Sequence, residues 1–126
     1  MPILYCDIDG TLIDKDDNIR PFVKELFETA STKGFKIFIW SAGGIDYAQR
    51  QTRKIFSRIN PKAHVTIVTK DLSKVHTDDK TSACIDDMQE MVDSFLKKSL
   101  RGFKVPFYES IVYPDDQELL RIAEQL

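Results

Sequence analysis

Two aspartates, Asp7 and Asp9, stand two residues apart directly after an apolar run, in the segment YCDIDGTL (residues 5–12). Carboxylates this close repel each other unless a cation lies between them or one of them carries a proton. We therefore expect a bound cation at this point of the chain, or a carboxyl group that acts as an acid.

Other apolar runs also end at side chains that can take part in chemistry. Each residue of this set lies at or just after the end of a predicted strand: Asp7 and Asp9 for residues 2–7, Ser41 for 35–40, Lys70 for 64–69, and Asp86 and Asp87 for 82–86. Carboxylates suit Mg²⁺, which prefers oxygen ligands, and an ammonium and a hydroxyl suit a phosphoryl group. The sequence therefore predicts a site for a phosphoryl group and a hard divalent cation.

The elements that must position these residues alternate along the chain. A fifth strand is predicted at residues 103–108, where Pro106 favours a sheet edge, and helical apolar stripes separate the strands. This order predicts an α/β protein, a three-layer α/β/α Rossmann-like fold with a mostly parallel five-stranded sheet and helices on both faces. In such sheets the active crevice lies at the carboxyl ends of the strands, where the polar residues are expected.

Single residues and one short turn indicate where three of the helices start. The first helix is expected to begin at Pro21, which suits a first turn, and the last to be capped by Asp115 or Asp116. The second helix is expected to start after the glycines at 43–44, and its free N–H groups can face an anion.

Length and composition set the class of protein. A chain of 126 residues predicts a single domain over residues 1–126. The net charge of −2 gives no general attraction to nucleic acid or anionic membranes, and no apolar run is long enough for a membrane span. Cys6 and Cys84 lie in apolar runs, which is typical of buried free thiols. With no secretory signal visible, we expect a cytoplasmic protein.

The residue types suggest a reaction. Asp7 and Asp86 can supply carboxylates to Mg²⁺, and Lys70 can balance the charge of a bound phosphate. A carboxylate can then attack phosphorus, while a second, protonated carboxyl group protonates the leaving oxygen. Asp7 and Asp9 could be this nucleophile and this acid.

The motifs resemble those of the haloacid dehalogenase-like phosphatases. CDIDGTL is similar to the first motif, DxDGT, IFIWSAGG to the second and IDD at 85–87 to the acidic fourth. The resemblance implies Asp7 as nucleophile and Asp9 as general acid/base. It also implies Mg²⁺ held by the Asp7 carboxylate, the Asp9 carbonyl and Asp86, with help from Asp87. The implied phosphate-binding groups are Ser41, Ala42, Gly43 and Lys70.

The third motif of that family is a lone lysine or arginine, and the sequence offers alternatives for it. Lys70 fits because it directly follows the third predicted strand. Lys80 lies six residues before Asp86, roughly 20 Å away if the segment between them is extended. Lys74 is a third, weaker candidate.

No cap domain fits between the motifs, because residues 12–40 and 45–69 hold only one helix and one strand each, with a short flap at 12–20. An open site suits a small phosphorylated metabolite or nucleotide, a phosphorylated nucleic-acid end or phosphoprotein, or an oligomer whose neighbour covers the site. A catalytically silent phosphate-binding module on the same fold is the alternative function. A phosphoacceptor signalling domain is disfavoured because the third strand ends in Thr69, where such a domain needs an aspartate.

Overall fold

The computed structural model describes residues 1–126 and contains one parallel sheet in the order β3-β2-β1-β4-β5. The elements in chain order are β1 (Ile3–Cys6), α1 (Val23–Thr32), β2 (Lys36–Ile39), α2 (Ile45–Ile59), β3 (Val65–Ile67), a 3₁₀ turn (Leu72–Lys74), β4 (Ala83–Asp86), α3 (Gln89–Lys97), β5 (Arg101–Lys104) and α4 (Glu118–Gln125). All four neighbouring strand pairs are parallel, so the sheet is wholly rather than mostly parallel.

The central strands explain the continuous apolar runs. Every residue of β1 and β4 is buried, because helices cover both faces of the sheet. Successive side chains alternate between the faces, so Leu4 and Cys6 lie in one core while Ile3 and Tyr5 lie in the other. The nucleophile candidate Asp7 follows this strand directly.

The two cores are unequal. The larger contains residues of α1, α2 and α4, and the smaller contains residues of α3. Cys6 and Cys84 are buried and form no disulfide, as expected. None of the helices combines the length and apolar character that crossing a membrane requires.

The fifth strand lies at other residues than the sequence predicts. β5 covers Arg101–Lys104 instead of residues 103–108, so Pro106 lies outside it. Gly102 lies within β5, where a Cβ would lie 2.8 Å from a Val92 side-chain atom, so glycine allows β5 to pack closely against α3. The apolar residues after β5 continue instead into the segment 105–116, which returns to the loop after β1, where the amide of Tyr108 donates to the carbonyl of Gly10.

Helix α1 begins at Val23, two residues after Pro21, because Phe22 adopts a left-handed conformation with φ of 73°. Helix α4 begins at Glu118 with Gln117 as the flanking residue, so neither predicted aspartate occupies the cap position. Asp116 nevertheless accepts a hydrogen bond from the amide of Glu118, which is the interaction expected of a cap residue.

Candidate active site

Lys70 lies between two aspartates at the carboxyl edge of the sheet. Its Nζ donates to Asp7 Oδ1 at 2.9 Å and to Asp86 Oδ2 at 3.0 Å, and all three side chains are largely buried. The Nζ of Lys80 instead donates to the carbonyl of Lys98 on the exposed surface. The structure therefore brings Lys70, and not Lys80, to the aspartates.

The acidic cluster of Asp7, Asp86 and Asp87 carries more negative charge than Lys70 can balance. Carboxylate oxygens of the three residues lie within 4.8 Å of one another. Burial, and then repulsion from Asp86, raise the pKa of Asp7 to about 7, while Lys70 opposes this rise. Burial alone would lower the pKa of Lys70, but Asp7 and Asp86 outweigh it and raise that pKa.

A divalent cation fits this acidic cluster. The donors are all oxygens, which Mg²⁺ prefers, and Lys70 is the single cation paired within this group of three carboxyl groups. A cation here would also lower the pKa of Asp7 and keep it as the carboxylate that a nucleophile requires.

The loop after β1 holds Asp7 in place. The hydroxyl of Thr11 lies 3.1 Å from Asp7 Oδ2 and 3.3 Å from Asp87 Oδ1, and it can donate to either. Gly10 has a φ of 77°, and the ring of Phe107 covers it so closely that a Cβ would overlap that ring. Glycine is therefore required at this bend both by its backbone conformation and by the space available.

Asp9 does not point into the acidic cluster. Its side chain is exposed, and its Oδ1 accepts a hydrogen bond of 2.6 Å from the hydroxyl of Tyr47 in the first turn of α2. Burial, and then this hydrogen bond to Asp9, raise the pKa of Tyr47, so its hydroxyl keeps its proton. Asp7 and Asp9 are therefore held by different partners, which suits two different tasks.

The loop from Ser41 to Gly44 turns sharply before α2. Ser41 is buried, and its Oγ accepts a hydrogen bond from the amide of Gly43 at 3.0 Å, while the amide of Gly44 donates to the carbonyl of Ser41. The amide of Ala42 makes no such bond. Helix α2 has no side-chain cap, so the N–H groups of its first turn are free to meet an anion.

An open cleft of about 620 Å³ adjoins Lys70. Its walls are partly apolar and partly charged; they include Ala42, Leu72, Met88, Glu90 and Met91. No inserted domain covers the cleft, because short connections join β1 to α1 and α2 to β3. The cleft beside Lys70 is therefore open to solvent, while Asp7 and Asp86 are buried next to it.

Three residues near the site were not predicted from the sequence. Tyr47 contacts Asp9, and the buried pair of Arg20 and Asp116 supports the loop after β1, where the guanidinium donates to the carbonyls of Gly10 and Thr11. The position of Tyr47 at the start of a helix beside the site was an available signal. The sequence predicts Asp116 only as a possible helix cap, and no local pattern indicates that it pairs with Arg20, 96 residues away.

The comparisons with known proteins identify the family of the chain. The sequence model of the NLI interacting factor-like phosphatases matches residues 2–126, and the chain belongs to that family. The family is one of haloacid dehalogenase-like phosphatases, and the chain is a hydrolase that acts on phosphate esters. No curated protein shows significant sequence similarity to it.

Solved structures show the same fold at low sequence identity. D,D-heptose 1,7-bisphosphate phosphatase from Burkholderia thailandensis is 11% identical, with a TM-score of 0.60 over 79% of this chain and 75% of that chain. The enzyme of the same name from B. bronchiseptica, complexed with magnesium and phosphate, is 8% identical, with a TM-score of 0.60 over 99% and 97%. A chain of the Pnkp1/Rnl/Hen1 RNA repair complex is 18% identical, with a TM-score of 0.62 over 86% of this chain but only 44% of that chain.

Proposed function

We propose that this protein is a Mg²⁺-dependent phosphatase that hydrolyses a phosphomonoester through an aspartyl-phosphate on Asp7. The observation that carries the proposal is the position of Lys70, bonded to both Asp7 and Asp86 beside an acidic cluster with excess negative charge. We also propose that residues 1–126 act as one hydrolase domain, and that its two free, buried thiols suit the cytoplasm.

The cation would be held by the carboxylates of Asp7, Asp86 and Asp87 and by the carbonyl of Asp9. When bound, Mg²⁺ supplies positive charge that offsets repulsion between the phosphate and the attacking carboxylate. The phosphate oxygens would meet Lys70 Nζ, Ser41 Oγ and the amides at Ala42, Gly43 and the start of α2. The Gly43 amide would first have to give up its bond to Ser41.

The reaction would run in two steps. An oxygen of Asp7 attacks phosphorus, the bond from phosphorus to the leaving oxygen breaks, and Asp9 gives that oxygen its proton. Water then attacks the phosphorus of the aspartyl-phosphate, Asp9 takes the proton from the water, and the bond to Asp7 breaks. Phosphate leaves, and both aspartates return to their starting states.

The open cleft supports several substrate classes: a small phosphorylated metabolite or nucleotide, a phosphorylated nucleic-acid end, or a phosphoprotein. Two proteins with this fold support the first two classes: one is a heptose bisphosphate phosphatase, and the other belongs to an RNA repair complex. We propose an oligomer whose neighbour covers the cleft as the further alternative, because Met88 in the cleft wall is exposed.

A catalytically silent phosphate-binding module is the second candidate function. The amides at the start of α2 and Lys70 would bind a phosphorylated partner equally well without turnover. The presence of every catalytic residue type favours the enzyme.

The deciding experiment measures phosphate release with Mg²⁺ by the wild-type protein and by Asp7→Asn. The substrates are nucleotides, sugar phosphates, phosphopeptides and 3′- or 5′-phosphorylated oligonucleotides. We expect turnover that disappears in Asp7→Asn while circular dichroism shows an intact fold. Turnover that persists in Asp7→Asn would refute the nucleophile, and binding of phosphate by a protein without turnover would favour the silent module.

A further inference from the structure

We propose that Tyr47 is a positioning residue for the general acid, and that it determines which oxygen of Asp9 transfers the proton. The inference rests on the proposed function, because Asp9 needs such a residue only if it protonates a leaving group. It arises from the hydrogen bond that the side chain of Asp9 accepts, the 2.6 Å bond from Tyr47 Oη to Asp9 Oδ1.

The direction of this hydrogen bond follows from the third member of the group. Gln51 Nε2 lies 3.1 Å from the hydroxyl oxygen of Tyr47 and 3.1 Å from Asp17 Oδ1. An amide nitrogen only donates, so the hydroxyl oxygen of Tyr47 accepts from Gln51. The hydroxyl hydrogen of Tyr47 is then directed to Asp9, which accepts it.

The consequence for catalysis is an asymmetric carboxyl group. Oδ1 of Asp9 is engaged by Tyr47, which leaves Oδ2 as the oxygen free to face a leaving group. When the proton of Asp9 passes to the leaving oxygen, the new carboxylate is stabilised by a hydrogen bond that is already formed. Without Tyr47 the carboxyl group could rotate, and either oxygen could carry the proton in a geometry unsuited to transfer.

The ring of Tyr47, which is half-buried, has neighbours on the phosphate-binding loop and on α2. It packs against Gly43 in the phosphate-binding loop, where a Cβ would approach the ring to 2.9 Å, and the guanidinium of Arg50 lies 5.9 Å from its centroid. Gln51 is buried and extends the group to Asp17 in the flap. Tyr47 therefore joins the phosphate loop, the general acid and the flap.

The test compares leaving groups. Tyr47→Phe keeps the ring over Gly43 and removes only the hydroxyl, so the fold should survive. We expect kcat for alkyl phosphates, whose leaving groups need a proton, to fall about tenfold, with KM unchanged. For p-nitrophenyl phosphate, whose leaving group departs unprotonated, we expect the change to stay within about twofold.

Two further variants sharpen the result. Gln51→Met keeps the length of the side chain but no longer donates to the hydroxyl of Tyr47. We expect a smaller fall in kcat than for Tyr47→Phe, again confined to alkyl phosphates. In the Asp9→Asn background, Tyr47→Phe should have no additional effect, because the two residues act as one unit. Tyr113→Phe, which removes an exposed hydroxyl elsewhere, is the matched control and should change nothing.

Equal losses for alkyl and p-nitrophenyl phosphates, or no loss for either, would overturn the role of Tyr47. If either of these results is obtained while Asp7→Asn abolishes turnover in the same assays, only the role of Tyr47 is refuted. The proposed function then stands. A wild-type protein that hydrolyses none of these esters would overturn both.

Discussion

Arg20 and Asp116 form a buried bidentate ion pair. Arg20 Nε lies 2.9 Å from Asp116 Oδ1 and Nη2 lies 2.9 Å from Oδ2, with side-chain exposures of 0% and 3%. The remaining nitrogen, Nη1, donates to the carbonyls of Gly10 and Thr11. The pair therefore connects the segment before α4 to the loop that carries Asp7 and Asp9.

Breaking this pair should be costly. Asp116→Asn leaves a buried guanidinium without its counter-charge, and we expect a loss of about 3–5 kcal/mol in the free energy of unfolding, measured with urea. Arg121→Met is the control, because it removes an ion pair with Glu118 at an exposed guanidinium and should cost below about 1 kcal/mol. Similar losses for the two variants would contradict the structural importance of the buried pair.

The double variant Arg20→Met/Asp116→Leu separates stability from function. Apolar residues of similar size should recover much of the lost stability, since neither buried charge remains. The carbonyls of Gly10 and Thr11 would still lack the donor that fixes them, so phosphate release should stay below that of the wild type. Full activity in a stable double variant would show that Arg20 does not position the loop.

Lys70 and Lys80 can be distinguished by one pair of substitutions. Lys70→Met removes the only ammonium bonded to Asp7 and Asp86, and we expect kcat/KM for phosphate release to fall at least about 100-fold. Lys80→Met removes an exposed bond to the carbonyl of Lys98 and should leave kcat/KM unchanged. The opposite outcome would assign the third motif to Lys80.

The sequence located the aspartates and Lys70 for a physical reason. Asp7 and Asp86 directly follow or end continuous apolar strands, and parallel strands bring their carboxyl ends to one edge of the sheet. The same reasoning indicates where Lys70 lies but not which atoms it contacts. Distances and partners depend on side-chain packing, which the pattern of apolar residues does not encode.

The features that the sequence missed depend on contacts between distant parts of the chain. Arg20 lies in a polar segment that is typical of a solvated loop, and only the return of the chain after β5 buries it against Asp116. The start of β5 was predicted wrongly because the apolar run at 103–108 outweighed Gly102, whose importance is its contact with Val92. Such three-dimensional constraints override local propensity.

Mg²⁺ should stabilise the protein as well as activate it. At a concentration ten times its Kd, the ion should raise the free energy of unfolding by about 1.4 kcal/mol, because the proposed Mg²⁺ site is formed by the acidic cluster of the folded protein. Asp86→Asn should reduce this stabilisation, measured as the shift in Tm on adding Mg²⁺, and excess EDTA should abolish phosphate release. Asp115→Asn changes an exposed aspartate and is the control, so it should keep the full shift in Tm. If Asp86→Asn also keeps the full shift, Asp86 is not part of the Mg²⁺ site.

Asp14 should make the stability of the flap depend on pH. Its carboxylate accepts hydrogen bonds from the amides of Asp16 and Asn18, from Asn18 Nδ2 and from the amide of Ser110. Burial acts to raise the pKa of Asp14, but the bonds from Asn18 and Ser110 outweigh it and hold that pKa well below its usual range. The flap is thereby tied to the segment 105–116.

The sign of the effect follows from that lowered pKa. A group with a lower pKa in the folded protein contributes stability that is complete above its unfolded pKa of about 3.9 and is lost as the pH falls below it. We expect Asp14→Asn to cost about 2 kcal/mol at pH 7, because the new amide places a donor against existing donors. The difference from the wild type, measured by urea unfolding, should shrink by about 1 kcal/mol at pH 3. Asp16→Asn replaces a neighbouring exposed carboxylate and is the control, so its difference from the wild type in the free energy of unfolding should be the same at pH 7 and pH 3. If the loss of stability in Asp14→Asn were also the same at both pH values, it would contradict the lowered pKa of Asp14.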